Sequence, residues 1–110
     1  MFVAKVTGSV VATQKVKEVV GQKLMVVEPY RLDPESRARL VSTGRTFVAI
    51  DTIGAGQGEL VLITQGSSAR MTPETKNLPI DTVIVGIVDS VNVDSRSVYK
   101  REDDESQSEK

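Results

Sequence analysis

Cysteine, histidine and tryptophan are all missing from this chain of 110 residues, and two phenylalanines with two tyrosines supply its whole aromatic content. Without cysteine no disulfide and no thiolate zinc site can form. Without imidazole or thiolate the familiar nucleophile–base pairs are excluded, leaving lysine or a carboxylate as the only candidate bases. Sparse aromatics count against a base-stacking surface. Charge of one sign is lacking too: the formal net charge is -1. The acidic excess sits in the tail "KREDDESQSEK", residues 100–110. Taking that tail's three basic and five acidic groups from the totals of 14 and 15 leaves 11 and 10, so the body is nearly neutral. It holds no general attraction for polyanions. No apolar run approaches membrane-spanning length. The opening "MFVAKVTGSVVAT" lacks the basic region and the unbroken apolar run of a signal peptide, since Lys5 interrupts it early, and no such leader is expected. A soluble chain is expected. A secreted domain of this size would often carry disulfide staples, so the expected address is intracellular.

What is present is a series of short β-prone runs. The length suits one compact domain, and a hydrophobic content of 39% is enough for a small core. Residues 2–13, rich in valine and threonine, predict a long strand bent or bulged at Gly8. "KLMVVEPYRL" (23–32) predicts a second strand, with Pro29 sending its later part to an edge or an exit. The polar stretch 33–44, between Pro34 and Gly44, reads as a surface loop. A short helical turn capped by Asp33 is the other option there. Further strands are expected over 46–53, 59–65 and 81–93, with a short one at "RSVYK". The run 83–88 is apolar except for Gly86 and does not alternate, the mark of a strand buried on both faces. Five or six short strands with at most one helical turn indicate an all-β barrel or sandwich over residues 1–99. The acidic tail 100–110 offers nothing to bury and is expected to be disordered.

The informative stretch is "AIDTIGAGQGELVLITQGSSAR", residues 49–70. Gly54, Gly56 and Gly58 give G-x-G-x-G, not the dinucleotide spacing, and a strand follows where a phosphate cradle needs a helix N-terminus. Glu59 stands where a Walker motif has lysine, and a carboxylate repels phosphate. "GSSAR" lacks the closing glycine of a nucleophile elbow, and its serines read as turn caps. Asp51 and Glu59 have no aromatic sugar platform near them in sequence, which weakens a glycosidase pairing. Single-stranded nucleic acid is the chief competing reading, since small five-stranded barrels often bind oligonucleotides, but the neutral body and scattered aromatics speak against it. The remaining reading is that glycines let another backbone approach, with Arg70 offering its guanidinium fork to an interface carboxylate.

Three motifs, "AKVTGSVVATQK", "VAIDTIGAGQGELVLITQGSSAR" and "IDTVIVGIVDSV", occur in an order that resembles the EutN/CcmL family of bacterial microcompartment vertex proteins. The resemblance implies a small OB-like β-barrel of five to six strands that assembles as a homopentamer. It implies a place at the five-fold vertices of a polyhedral shell in the bacterial cytoplasm, against hexameric facet proteins. No catalytic, cofactor-binding or metal-ligating residue is implied, and no nucleic-acid or membrane partner. The family motif carries over to Asp51, Gly54, Ala55, Gly56, Gly58 and Glu59 in the glycine-rich loop, and to Gly66, Ser67, Ser68, Ala69 and Arg70 after it. These are the candidates for subunit contacts or the surround of the five-fold axis, with Arg70 expected to pair Glu59 or Asp51. The 33–44 segment looks longer than the connection other members can have, which suggests a contact peculiar to this shell. The acidic tail reads as a solubilising appendage.

Overall fold

A computed structural model describes residues 1–13, 22–66 and 81–101. Eight strands follow one another: β1 (Phe2–Val10), β2 (Lys23–Leu32), β3 (Leu40–Ser42), β4 (Phe47–Asp51), β5 (Leu60–Gln65), β6 (Thr82–Ile87), β7 (Ser90–Val93) and β8 (Arg96–Lys100). The main sheet runs β1-β5-β6-β4-β2-β3, and an additional β1–β2 pairing closes five of these strands into a barrel with β3 outside the closure. Closure removes the open edges that a sheet this small would otherwise present.

β1 makes the closure possible. Phe2 to Lys5 pair with Ile63 to Leu60 of β5, while Ala4 to Val10 pair with Pro29 to Leu24 of β2. β1 bonds β5 along one edge and β2 along the other, and its register against β2 shifts between Val6 and Gly8. A bulge of this kind bends the strand and raises its local twist. The expected irregularity at Gly8 is therefore present, although the strand ends at Val10 and not at residue 13.

Alternation fills the lumen. Ala4, Val6, Met25, Val27, Ala49, Val61, Ile63 and Ile84 point inward and are buried, with Phe2, Phe47 and Ile87 packed against them. The Phe2 and Phe47 rings lie 6.2 Å apart at a tilt of 46°, within the range favoured by aromatic pairs.

Several expectations need correction. The run 81–93 is two strands, not one: β6 ends at Ile87, and Val88–Asp89 lead into the β7–β8 hairpin. Only Val83 and Ile84 of its apolar run are fully buried on both faces; Val85 to Val88 are half-buried. The hairpin turns at Asp94 and Ser95, both at positive φ, a pairing whose twist suits a two-residue hairpin. The third barrel strand stops at Asp51, because the Asp51 carboxylate turns the chain there. The 33–44 segment is more than a loop, since Leu40–Ser42 pair with Leu32–Tyr30 of β2. Asp33 does cap a turn: its Oδ1 accepts from Glu35 N at 3.0 Å, and its carbonyl accepts from Arg37 N at 2.9 Å. The expectations for the serines of "GSSAR" as turn caps and for the tail beyond Arg101 lie outside the described residues.

The glycine-rich loop as candidate functional site

The loop between β4 and β5 is built from its two ends. At the first end, Asp51 closes β4 opposite Lys23, and its side chain is fully buried. Asp51 Oδ1 accepts from the backbone N–H of Ile53 and of Gly54, each at 3.0 Å. This is the local bonding that makes aspartate a turn former. Its other oxygen, Oδ2, lies 3.5 Å from Lys23 Nζ, and Lys23 also donates to the Ala55 carbonyl at 3.2 Å. Gly54 then takes φ of +86°, which an L side chain rarely adopts.

At the second end, Glu59 Oε1 accepts from Gly56 N, while Gly58 takes φ of +91°. The loop's second half zips onto β1: Gly58 N donates to Val6 O at 2.7 Å, and Val6 N donates to Glu59 O at 2.9 Å. Glu59 Oε2 meets Arg101 Nη2 at 2.6 Å, a close charge contact between half-buried groups. Arg101 also reaches Asp89 Oδ1 at 3.7 Å, and its backbone N–H donates to the Asp89 carbonyl at 2.9 Å. The chain's last described residue thus ties the β7–β8 hairpin to the loop. Between the two ends, the Ala55 side chain is fully buried and joins the lumen cluster. It fastens the loop over the end of the barrel, while Ile53 stays 45% exposed.

The chemistry of this arrangement is one of closure. The amides of Ile53, Gly54 and Gly56 are those a phosphate would need, and two carboxylates of the chain already occupy them. A bound anion would have to displace a charge-assisted hydrogen bond and approach two negative groups. The glycines therefore serve backbone geometry, and the loop presents a preformed, rigid surface.

Of the candidate residues, the structure brings Asp51, Gly54, Ala55, Gly56, Gly58 and Glu59 into one loop. Gly66 lies at the far end of β5, at φ +68°, where its N–H donates to Asp81 O at 2.9 Å. Ser67, Ser68, Ala69 and Arg70 lie outside the described residues, and with them the expected pairing of Arg70. Sequence reasoning missed Lys23, Val6 and Arg101. Lys23 becomes visible only once register places it opposite Asp51, and Arg101 was hidden in a run of charges assigned to the tail. A second, exposed tie links the 33–44 segment to the hairpin: Arg37 Nε donates to Asp94 Oδ2 at 3.0 Å. Each partner favours the other's charged form, so the Asp94 carboxyl is lowered and the Arg37 guanidinium raised from their ordinary values. The 33–44 segment, for which a contact peculiar to this shell is expected, is thus also joined to the chain's own hairpin.

The family model described as ethanolamine utilisation protein EutN/carboxysome matches residues 1–89. The bacterial microcompartment shell vertex protein PduN of Salmonella typhimurium is 46% identical over 92 residues, covering 84% of this chain and 99% of that protein. The structure of CcmL from Gloeobacter violaceus superposes with a TM-score of 0.81 at 34% identity, over 93% of this chain and 99% of that one. The pentameric microcompartment shell protein GrpN of Rhodospirillum rubrum gives a TM-score of 0.70 at 41% identity, over 84% and 98%.

Proposed function

The chain belongs to the EutN/CcmL family, and from that premise we propose that it is a structural shell protein whose homopentamers cap the five-fold vertices of a bacterial microcompartment. The observation that carries this reading is the agreement, along nearly their whole length, with proteins named as shell vertex proteins. The protein's place is the compartment shell. Its action is geometric: a head-to-tail contact that closes after five copies makes a ring, and a flat hexagonal layer needs five-fold points to close into a polyhedron. Hexameric facet proteins are the neighbours this geometry requires. The role involves no catalysis. Single-stranded nucleic-acid binding gains no support from the relatives, and the near-neutral body holds no general attraction for a polyanion.

Within the ring, Asp51, Gly54, Ala55, Gly56, Gly58 and Glu59, with Gly66, Ser67, Ser68, Ala69 and Arg70, contribute subunit contacts or the surround of the axis. The rigid closure of the glycine-rich loop supports this role, because a preorganised surface loses little freedom on association. The role of Arg70 is to meet a carboxylate at that contact. Electron microscopy of the compartment in a strain lacking this protein tests the whole reading. Unclosed or elongated shells are expected, and closed polyhedra of ordinary shape would overturn it.

A further inference from the structure

We propose that the acidic run of this chain's own tail, Glu102 to Glu105, docks on the arginine-bearing end of the barrel around Arg31 and Arg45 and shields it from other acidic partners. That end is built from two rows that continue past the lumen. In β2, Met25 and Val27 fill the lumen and Pro29 is buried at the next inward position. Alternation then sets Arg31 on the same face beyond them, where it is exposed. In β4, Phe47 stands opposite Val27 and packs against the core. Arg45 lies over that ring, its guanidinium carbon 5.8 Å from the centroid. Thr43 draws the two rows together, since its N–H and its hydroxyl donate to the Pro29 carbonyl at 3.0 and 2.9 Å. A guanidinium resting on an aromatic face keeps its in-plane N–H donors for a carboxylate.

Positive charge concentrates at this end. Residues 31–45 hold four arginines against Asp33 and Glu35, a net +2, whereas the other residues of 1–99 hold seven basic and eight acidic groups, a net -1. Arg37 pairs with Asp94 and Arg39 with Asp33, so the excess falls to Arg31 and Arg45. The tail 102–110 carries five acidic side chains, four of them consecutive, against Lys110, a net -4. In a nearly neutral body these are the two complementary extremes of charge.

Reach and tethering make the tail of the same chain the occupant. Its root is fixed, because Arg101 meets Glu59 at 2.6 Å through its side chain and Asp89 O at 2.9 Å through its N–H. Glu59 O accepts from Val6 N, Val6 stands opposite Val27, and Val27 stands opposite Phe47. Three strand spacings therefore separate the root from Phe47, about 15 Å. The first four tail residues span about 13 Å when extended and all nine about 30 Å, before the length of the side chains is added. One carboxylate lies on the way: Glu28, which accepts from the Ser42 hydroxyl. Lys5 stands opposite it in register, with its ammonium 5.7 Å from the Tyr30 ring centroid, and offsets that charge. A short tether holds the tail at an effective concentration on the order of millimolar, which favours it over a free acidic partner. The contact is made within one chain and stands whether or not five copies close into a ring.

The chain has no cysteine, so Ser106→Cys gives one site for a nitroxide label directly after the acidic run. The test is paramagnetic broadening of backbone amides in the full-length, isotope-labelled chain, diluted into an excess of unlabelled wild-type chain so that only effects within one chain are read. Broadening is expected to be stronger at Arg31 and at residues 44–47 than at Glu59 and Asp89 beside the tail's root. About 0.5 M salt, where the screening length is about 4 Å, is expected to abolish that preference. The double variant Arg31→Gln with Arg45→Gln is expected to abolish it too. If that variant fails to fold by circular dichroism, neutralising the tail with Glu102→Gln, Asp103→Asn, Asp104→Asn and Glu105→Gln decides, since none of these lies in a barrel strand. Broadening strongest at the root, or a preference that survives loss of the charges, overturns the inference. Broadening at the arginine end that vanishes on dilution with unlabelled chain also overturns it, because the tail then lies on another copy.

Discussion

Replacing Asp51 by alanine isolates what holds the glycine-rich loop in place. The substitution removes an acceptor of two backbone hydrogen bonds, from Ile53 and Gly54, each at 3.0 Å. Hydrogen bonds to charged groups contribute about 1.5–3 kcal/mol each. Both donors sit on exposed residues that water can reach once the carboxylate is gone, so the lower end applies and the loss is about 3 kcal/mol. Removing the carboxylate also strands Lys23, but that lysine is half exposed, and its share is within about 1 kcal/mol. Asp51→Asn separates these effects. Its carbonyl can still take both amides, but its NH2 then faces the Lys23 ammonium where Oδ2 stood. It is expected to lose about 1–2 kcal/mol, the difference between a charged and a neutral acceptor with a mismatched donor added. The assay is urea unfolding at one fixed chain concentration, since assembly adds concentration-dependent stability. In thermal melts Asp51→Ala corresponds to a Tm lower by roughly 10–15 °C. A loss below about 1 kcal/mol for Asp51→Ala would refute the claim that this carboxylate organises the loop. A gap from wild type that widens with chain concentration would show in addition that the loop lies at a subunit contact.

Further outcomes follow from the same geometry. Glu59→Gln keeps the acceptor for Gly56 and loses only the partly exposed pair with Arg101, so it should cost within about 1 kcal/mol, and Glu59→Ala clearly more, by the same unfolding assay. Ile63→Ala opens a cavity in the barrel lumen at a fully buried site and should destabilise by about 2–5 kcal/mol. The Asp33 and Asp94 carboxyls are held below their ordinary value of 3.8, Asp33 by the Glu35 amide and Arg39 and Asp94 by Arg37. A lowered folded value means that their stabilisation is complete above 3.8 and is lost as pH falls below it. Hydrogen-exchange protection, measured against the intrinsic rate at each pH, should therefore fall in the β7–β8 turn and the Asp33 turn below that pH while the barrel strands keep theirs, and unchanged protection in the turns would contradict the ties described.

Strands with strong punctuation were legible from the sequence. β2 has the bounds expected for "KLMVVEPYRL", and β5 follows the glycine cluster as expected. Residues 81–93 were harder, because Asp89 and Ser90 interrupt an apolar pattern that continues on both sides. The break there is decided by tertiary pairing: Val88 N donates to Leu60 O, and Arg101 N to Asp89 O, each at 2.9 Å. β3 escaped notice since three residues in a polar setting carry no period, and only the ladder with Tyr30–Leu32 makes them a strand. The candidate loop was legible in part. Its glycines and carboxylates stand together in the sequence, and their local hydrogen bonds span two or three residues. Lys23 and Arg101 reach the loop from remote strands, and no local pattern announces a contact fixed by barrel register.

The central claim is a ring of five, and native mass spectrometry of the full chain across a dilution series tests it most directly. The account predicts a dominant species of about 60 kDa, five times the chain mass of 11.9 kDa, that persists on dilution. A chain that stays monomeric at every concentration, or that closes with a different copy number, would contradict it.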